Sequence, residues 1–354
     1  MKVKDISLSR FTVFEDVKVL FSPGLNVFIG KNATGKSHLM KLLYAILRTH
    51  EMAHKDGIDD KERIAARLKE KLAGVFKPDE SKPSRLVRRR VGRSSARVAI
   101  NSDQGGFEFK LTTQDSVTVE TVTLKDAEPA VFIPSREAVA MYQGFIKAYE
   151  DRELSFDETY FDLCKALSGS PARGKRLKEA NALVAPFEAI LGGKVAIEGG
   201  RFQVNSADGI IEAHLLAEGY RKIAGLIQLI NNGSLMQNGI LFWDEPEANL
   251  NPTLVTKIAE ALRTLASRGI QIFVATHDYL LTHELSLAVE YDTEPKASTR
   301  FHALTRNDGG PVTVESGDTL ADLEHNAILD EFAMHYDREH DLFKGKKGPR
   351  KGGA

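Results

Sequence analysis

Residues Gly30-Lys31-Asn32-Ala33-Thr34-Gly35-Lys36-Ser37 fit the spacing G-x-x-x-x-G-K-[S/T] at every required position. That spacing suits phosphate chemistry. Glycines let the backbone turn so that its N–H groups point into one cradle, and a helix start adds positive potential. In such a cradle Lys36 would reach the β- and γ-phosphates of a nucleotide, and Ser37 would offer its hydroxyl to Mg²⁺. His38, one step on, is placed to reach the α-phosphate. A second group lies far downstream, where the apolar run Leu241-Phe-Trp ends in Asp244-Glu245. Asp244 suits a Mg²⁺ ion held through its water shell, and Glu245 suits the polarisation of an attacking water. Beyond it, Phe273-Val-Ala-Thr276-His277-Asp278 sets a histidine just past another apolar run. His277 could hydrogen-bond a γ-phosphate and sense its loss.

These residues need particular elements to hold them. Leu25 to Ile29 reads as a short buried strand, and His38 to Thr49 as an amphipathic helix with Leu39, Met40, Leu42, Leu43, Ile46 and Leu47 on one side. Ile240–Asp244 and Ile270–Ala275 are apolar runs suited to central parallel strands covered on both faces. The N-terminal stretch (Ile6, Leu8, Phe11, Val13, Val17, Val19, Phe21) and residues 85–124 read as strands. Between them, Lys55 to Val75 reads as a charged helix, ended by Pro78 and Pro83. Ala130 to Pro134 is another short apolar strand. Residues 137–191 read as helices broken near Ser168-Gly-Ser-Pro171, and 195–204 as a hairpin turned at Gly199-Gly200. The sequence shows no internal repeat. The tail from Lys344 is rich in glycine and lysine and is expected to be disordered.

Composition sets limits. The 354 residues carry 48 Lys+Arg and 49 Asp+Glu, a formal net charge of -1, so no global field draws the chain to nucleic acid or membrane. The one cysteine, Cys164, excludes an internal disulfide and suits a reducing compartment. The N-terminus has no apolar signal core, and no apolar stretch approaches the ~18 residues needed to span a bilayer. A cytoplasmic protein with no membrane contact is expected. The arginines Arg85, Arg88, Arg89, Arg90, Arg93 and Arg97 form a local basic strip. It is read as a phosphate-backbone or acidic-partner contact, or as a solvated strand face with internal acidic partners. No aromatic residues interleave it to support stacking on single strands.

In chain order the sequence has a phosphate loop, a glycine-bearing helix start at Leu216-Ala217-Glu218-Gly219-Tyr220-Arg221-Lys222, an acidic strand end, an Asn249-Leu250-Asn251 turn and a histidine. That order resembles the ABC-type ATPase heads of the SMC, RecF and OLD (overcoming-lysogenisation-defect) group. The phrases GKNATGKSHLMKLLYA and FWDEPEANLNP are most similar to stand-alone AAA15/AAA21-type ATPases of bacterial anti-phage and toxin-like operons. The resemblance implies an α/β P-loop fold with a mostly parallel core sheet, an antiparallel β lobe and a helical lobe at about 137–191. It implies one head over residues 1–340, followed by the basic tail 341–354. ATP and Mg²⁺ are the cofactors it implies, with Gly30 to His38 as the cis site and Lys36, Glu245 and His277 as catalytic groups.

The resemblance further implies a homodimer closing head-to-tail on two ATP molecules. Ala217, Glu218 and Gly219 would then meet the γ-phosphate held by the other copy. Ala217 stands where the signature serine is usual, so one hydroxyl donor is missing, a loss of ~1 kcal/mol; a weaker closed dimer or slow hydrolysis is expected. Asn251 stands at the D-loop aspartate position. No Q-loop glutamine follows Ile133-Pro134; Ser135, Arg136 or Glu137 could substitute, while Gln143 falls well into the next helix. Proline breaks and strands replace the long heptad arms of SMC proteins, and too little chain follows His277 for the nuclease domain of OLD enzymes. The leading expectation is an ATP-driven switch controlling a separately encoded effector in anti-phage defence or a toxin–antitoxin-like system. The alternative is a RecF-like nucleic-acid clamp acting in DNA repair. A transporter's nucleotide-binding subunit fits less well, since both the signature and the Asn-Leu-Asn turn depart from that pattern.

Overall fold

The computed structural model describes residues 1–89, 91–306 and 309–345, apart from the side chain of Gln143. Strands β1 (Val3–Phe11) and β2 (Phe14–Leu20) form a hairpin, and β3 (Leu25–Ile29) runs into α1 (Lys36–Lys55), followed by α2 (Lys61–Phe76). A meander of β4 (Ser95–Ser102), β5 (Gly105–Thr112) and β6 (Val117–Val122) precedes β7 (Ala130–Ile133). Helices α3 (Tyr142–Glu150), α4 (Glu158–Leu167) and α5 (Lys175–Leu191) come next, then β8 (Gly193–Glu198), β9 (Arg201–Ser206) and β10 (Gly209–Glu212). The chain closes with α6 (Glu218–Asn231), β11 (Ile240–Asp244), α7 (Pro252–Ser267), β12 (Gln271–Thr276), α8 (Tyr279–Glu290), β13 (Thr299–Arg306), β14 (Val312–Gly317) and α9 (Ala327–Gly345).

Eleven strands make one sheet in the order β6-β5-β4-β1-β2-β14-β13-β3-β12-β11-β7. From β13 to β7 every pairing is parallel, which is the mostly parallel core. From β2 to β6 every pairing is antiparallel, which is the β lobe, continuous with the core rather than separate from it. Successive side chains of a strand point to opposite faces, and the central strands supply two cores this way. Val27, Leu241, Trp243, Ile272 and Val274 join α4 to α8 on one face. Phe28, Phe242, Phe273 and Ala275 join α1 and α2 on the other. Among the described residues, no helix is long and apolar enough to cross a membrane.

Four local expectations are corrected. The charged stretch from Lys55 is not continuous: α1 ends at Lys55, and α2 starts at Lys61 where Asp60 caps it by accepting from the Arg63 N–H at 2.9 Å. Strand structure in 85–124 begins only at Ser95, because Pro83 opens a 3-10 turn over Pro83–Leu86. The hairpin at Gly199-Gly200 gains a third strand, β10, paired to β9. The tail is helical rather than disordered at Lys344 and Gly345, where α9 ends, and residues 346–354 lie outside the described residues.

Candidate active site

The phosphate loop sits between β3, all five residues of which are buried, and the start of α1. Its shape needs glycine at two points. A Cβ on Gly30 would come 2.4 Å from the Leu304 carbonyl oxygen, and one on Gly35 (φ 92°) would come 2.6 Å from Val13 Cγ2. Ala33 is held at φ 64°, a left-handed conformation costly for a residue with a side chain. Thr34 Oγ1 donates to the Lys31 carbonyl at 2.9 Å and ties the loop across itself. Lys31 and Asn32 are exposed at its tip, and the exposed His38 ring packs edge-on against Phe76 at 5.7 Å.

The Lys36 ammonium is buried and donates to the carbonyls of Gly30 (2.6 Å) and Lys31 (3.1 Å). Burial lowers its pKa from the ordinary lysine value, opposed by the charges of Asp244, Glu245 and Glu247. Next to it Ser37 Oγ donates to Asp244 Oδ1 at 3.1 Å. Burial raises the Asp244 pKa and the Glu245 charge adds to that, while the Ser37 hydrogen bond works against both. A hydroxyl, a desolvated carboxylate and a neighbouring acid form the hard oxygen donor set that suits Mg²⁺. Lysine held only by neutral carbonyls suits an anion that outbids them. The residues present therefore fit a magnesium nucleotide.

Asp244 ends β11, and Glu245 follows in the left-handed region at φ 50°, its N–H donating to the Ala275 carbonyl at 2.9 Å. The sharp turn swings the Glu245 carboxylate toward β12, where its Oε1 lies 3.3 Å from His277 Nδ1. Both side chains stay accessible, at 33% and 53% exposure, so a reacting water could reach them. The structure thus brings Lys36, Ser37, Asp244, Glu245 and His277 to the carboxyl ends of adjacent parallel strands.

Ala217, Glu218 and Gly219 stand apart from this cluster, with no hydrogen bond or ion pair to residues 30–38 among the described residues. Ala217 is the N-cap of α6 and offers no side-chain cap, as expected of alanine at the serine position. A Cβ on Gly219 would meet Leu250 Cδ2 at 2.2 Å, so the helix start lies flat on the Asn-Leu-Asn turn. Asn251 caps α7, its Oδ1 accepting from the Leu254 N–H at 2.9 Å. Of the Q-loop candidates, Glu137 takes Arg221 Nε from α6 at 2.9 Å. That pairing engages its carboxylate within the chain; Ser135 is half-buried and Arg136 exposed.

Two buried charges escaped the sequence reading. Glu247, 7% exposed, accepts from Thr276 Oγ1 at 2.6 Å and from the His277 N–H at 3.4 Å, so it fastens the end of β12 to the turn after β11. Lys222, 3% exposed, donates from α6 to the carbonyls of Glu245 (3.3 Å) and Ala248 (3.1 Å). A lysine on the apolar side of α6, among Gly219, Ile223 and Leu226, was the available signal. Three arginines of the strip meet carboxylates: Arg85 pairs with Asp79 (3.0 Å), Arg88 with Glu15 (3.0 Å) and Arg97 with Glu120 (4.0 Å). Arg89 and Arg93 are exposed, and Arg90 lies outside the described residues.

Residues 25–282 match the family described as "AAA domain, putative AbiEii toxin, Type IV TA system". The chain belongs to this family. Its curated relatives include the DNA replication and repair protein RecF of Lactococcus lactis subsp. cremoris, 41% identical over 66 residues, 18% of this chain and 17% of the relative. RecF of Limosilactobacillus fermentum is 33% identical over 104 residues, 28% of this chain and 26% of the relative. The chain thus spans only a small part of the curated relatives it matches. Solved structures agree at the level of fold. The SMC head domain from Thermotoga maritima gives a TM-score of 0.50 at 12% identity, covering 89% of this chain and 98% of that one. An Smc head bound to the C-terminal domain of ScpA, derived from Pyrococcus furiosus, gives 0.51 at 12% identity, covering 96% and 99%. This AAA_21 chain is an ABC-type ATPase head of the SMC/RecF group.

Proposed function

We propose that this ATPase head hydrolyses ATP, closes as a homodimer while ATP is bound, and uses that cycle to control a separately encoded effector protein in the cytoplasm. The observation that carries the chemistry is the convergence of Ser37–Asp244 at 3.1 Å and Glu245–His277 at 3.3 Å on one end of the core sheet. Bound Mg-ATP supplies the electrophilic γ-phosphorus, with the cation neutralising phosphate charge. Gly30 to His38 hold the phosphates, Lys36 exchanging its two carbonyl partners for phosphate oxygens. Ser37 and Asp244 hold the cation. Glu245 takes a hydrogen bond from the attacking water, and His277, its Nδ1 3.3 Å from that carboxylate, donates toward the γ-phosphate. Ala217 to Gly219 present the α6 N-terminus to the nucleotide of the other copy, and Asn251 lies at the seam. We treat residues 1–340 as one head.

Support for the effector-switch role comes from the family itself, whose description names a toxin system, and from the fold, which pairs an ATPase site with no heptad arm among the described residues. Glu245→Gln should bind ATP, form the dimer and stall, while Lys36→Ala should lose binding. Affinity capture of each from the native host tests the role. A stoichiometric protein retained by one and lost by the other supports the switch, and the absence of any such protein sinks it.

The RecF relatives favour a second reading, an ATP-dependent clamp on DNA or RNA. The ion pairs of Arg85, Arg88 and Arg97 speak against the arginine strip as its contact. An ATPase rate that climbs with added DNA, and a binding constant that falls steeply with salt, would favour the clamp.

A further inference from the structure

Among the described residues the sheet stops at β7, whose only strand partner is β11. The Ile240 N–H donates to the Pro129 carbonyl at 2.9 Å, and the parallel register sets Ile240 beside Ala130 and Phe242 beside Phe132. In a parallel ladder, one residue bonds to the two that flank its neighbour. Val131 and Ile133 therefore turn their backbone groups to β11, and Ala130 and Phe132 turn theirs away. Among the described residues, the N–H and C=O of Ala130 and Phe132 have no hydrogen-bond partner. Yet Ala130 is only 6% exposed and Phe132 1%. Backbone groups so placed pair with protein or with water, and these four are left free to pair with an incoming chain.

A cavity of about 410 Å³ lies against this edge, between the distal half of α1 and α4, and Ala130 to Phe132 form its floor. Its lining carries the cations Arg48, Lys55, Lys165 and Arg176 against the anions Glu51 and Asp162. Both anions are already satisfied. Glu51 takes Arg48 and Lys55 at 2.6 Å each, and Asp162 takes Tyr44 Oη at 2.6 Å and Lys71 Nζ at 2.5 Å. Lys165 and Arg176 are exposed and make no ion pair among the described residues, and Arg48 Nε is buried without a partner. A small anion would meet the donors and leave the two carbonyls unpaired. Another main chain supplies donors and acceptors together, at the two-residue repeat that this edge presents.

We propose that the outer edge of β7 is a docking groove in which an extended acidic segment of a partner protein adds to the sheet as a further strand. Main-chain pairing to Ala130 and Phe132 supplies affinity, and Lys165 and Arg176 select acidic side chains at alternate positions. The groove lies toward the amino ends of the strands and the far end of α1, away from the phosphate loop. Its occupancy is therefore independent of the ATPase reading above.

The test uses the full chain and an acetylated, fluorescein-labelled peptide of alternating glutamate and valine, six residues long. Anisotropy should show saturable binding, weakened at least tenfold by Lys165→Glu with Arg176→Glu and abolished by Ala166→Trp, which fills the groove. N-methylation of alternate peptide amides, which keeps every charge, should abolish binding. Hydrogen exchange at the Ala130 and Phe132 amides should slow when the unmodified peptide is added. ATP turnover should be unchanged in all three substitutions. No binding at millimolar peptide overturns the proposal. So does undiminished binding of the N-methylated peptide, or unaltered exchange at Ala130 and Phe132.

Discussion

Two regions of the molecule hold clustered cations, and they handle them in opposite ways. At the phosphate loop and on α6, Lys36 and Lys222 are buried and their ammonium groups rest on backbone carbonyls. On the antiparallel wing, Arg85, Arg88 and Arg97 each meet a carboxylate near the surface. A carbonyl solvates a cation without cancelling it, so the positive charge remains available to an arriving phosphate. A carboxylate cancels it, and exposed pairs of this kind contribute little to stability. The density of positive residues in a sequence is thus a poor guide to where positive charge can act. The partner decides.

Substitutions can break this contrast at either end. The largest effect is expected at the site: Glu245→Gln should cut ATP turnover by about 10²–10⁴-fold with nucleotide binding retained, and Lys36→Ala should abolish binding, both read by phosphate release and nucleotide titration. Lys222→Met keeps the length of the side chain and removes its charge and two hydrogen bonds. It should lower unfolding free energy by about 1–3 kcal/mol and slow turnover, because the Glu245 and Ala248 carbonyls lose their buried donor; unchanged turnover would show that the turn holds its own shape. A buried group with no charge at all gives a sharper contrast. His302, stacked on Phe28 at 5.0 Å, has its pKa lowered by burial to about 3. It stays neutral in the fold but protonates in the unfolded chain below its ordinary value. Stability should therefore fall as pH drops below about 6.5, by up to ~1.4 kcal/mol per unit. His302→Phe should flatten that slope in denaturation series at pH 7, 6 and 5. Smallest of all, Arg85→Ala, at an exposed pair with Asp79, should cost about 1 kcal/mol or less and leave ATP turnover and nucleic-acid affinity unmoved. A clear loss of DNA binding in that variant would reverse our reading of the wing.

Contiguous features were legible in the sequence. The phosphate loop with its strand and helix, the β11 strand ending in Asp244-Glu245, and the placement of His277 after β12 all depend on residues within a few positions of each other. What escaped depends on residues far apart. Glu247 gains its meaning from Thr276, Lys222 from Ala248, and Glu137 from Arg221, pairs that only the folded topology brings together. For the arginine strip the sequence left two readings open, and the internal acidic partners of one of them, Glu15, Asp79 and Glu120, could be named only from the fold. Strand order was also invisible. Ala130 to Pro134 reads only as a short apolar strand, and nothing in those residues says that it lies at the edge of the sheet.

The eleven-stranded sheet is narrowest where its two regimes meet. Among the described residues β14 joins β2 by the single pairing of Val312 with Phe14, backed by the Val312 N–H on the Val13 carbonyl at 3.1 Å. On the other side of that rung, Val13 and Phe14 press against Gly35 at the mouth of α1, with no room for one more carbon. A crease held by one rung yields more readily than the fully paired sheet on either side. Any rocking of the wing about it moves Val13 and Phe14 against the loop. The tilt of the wing and the width of the phosphate loop are in that sense set by the same two residues, Val13 and Phe14.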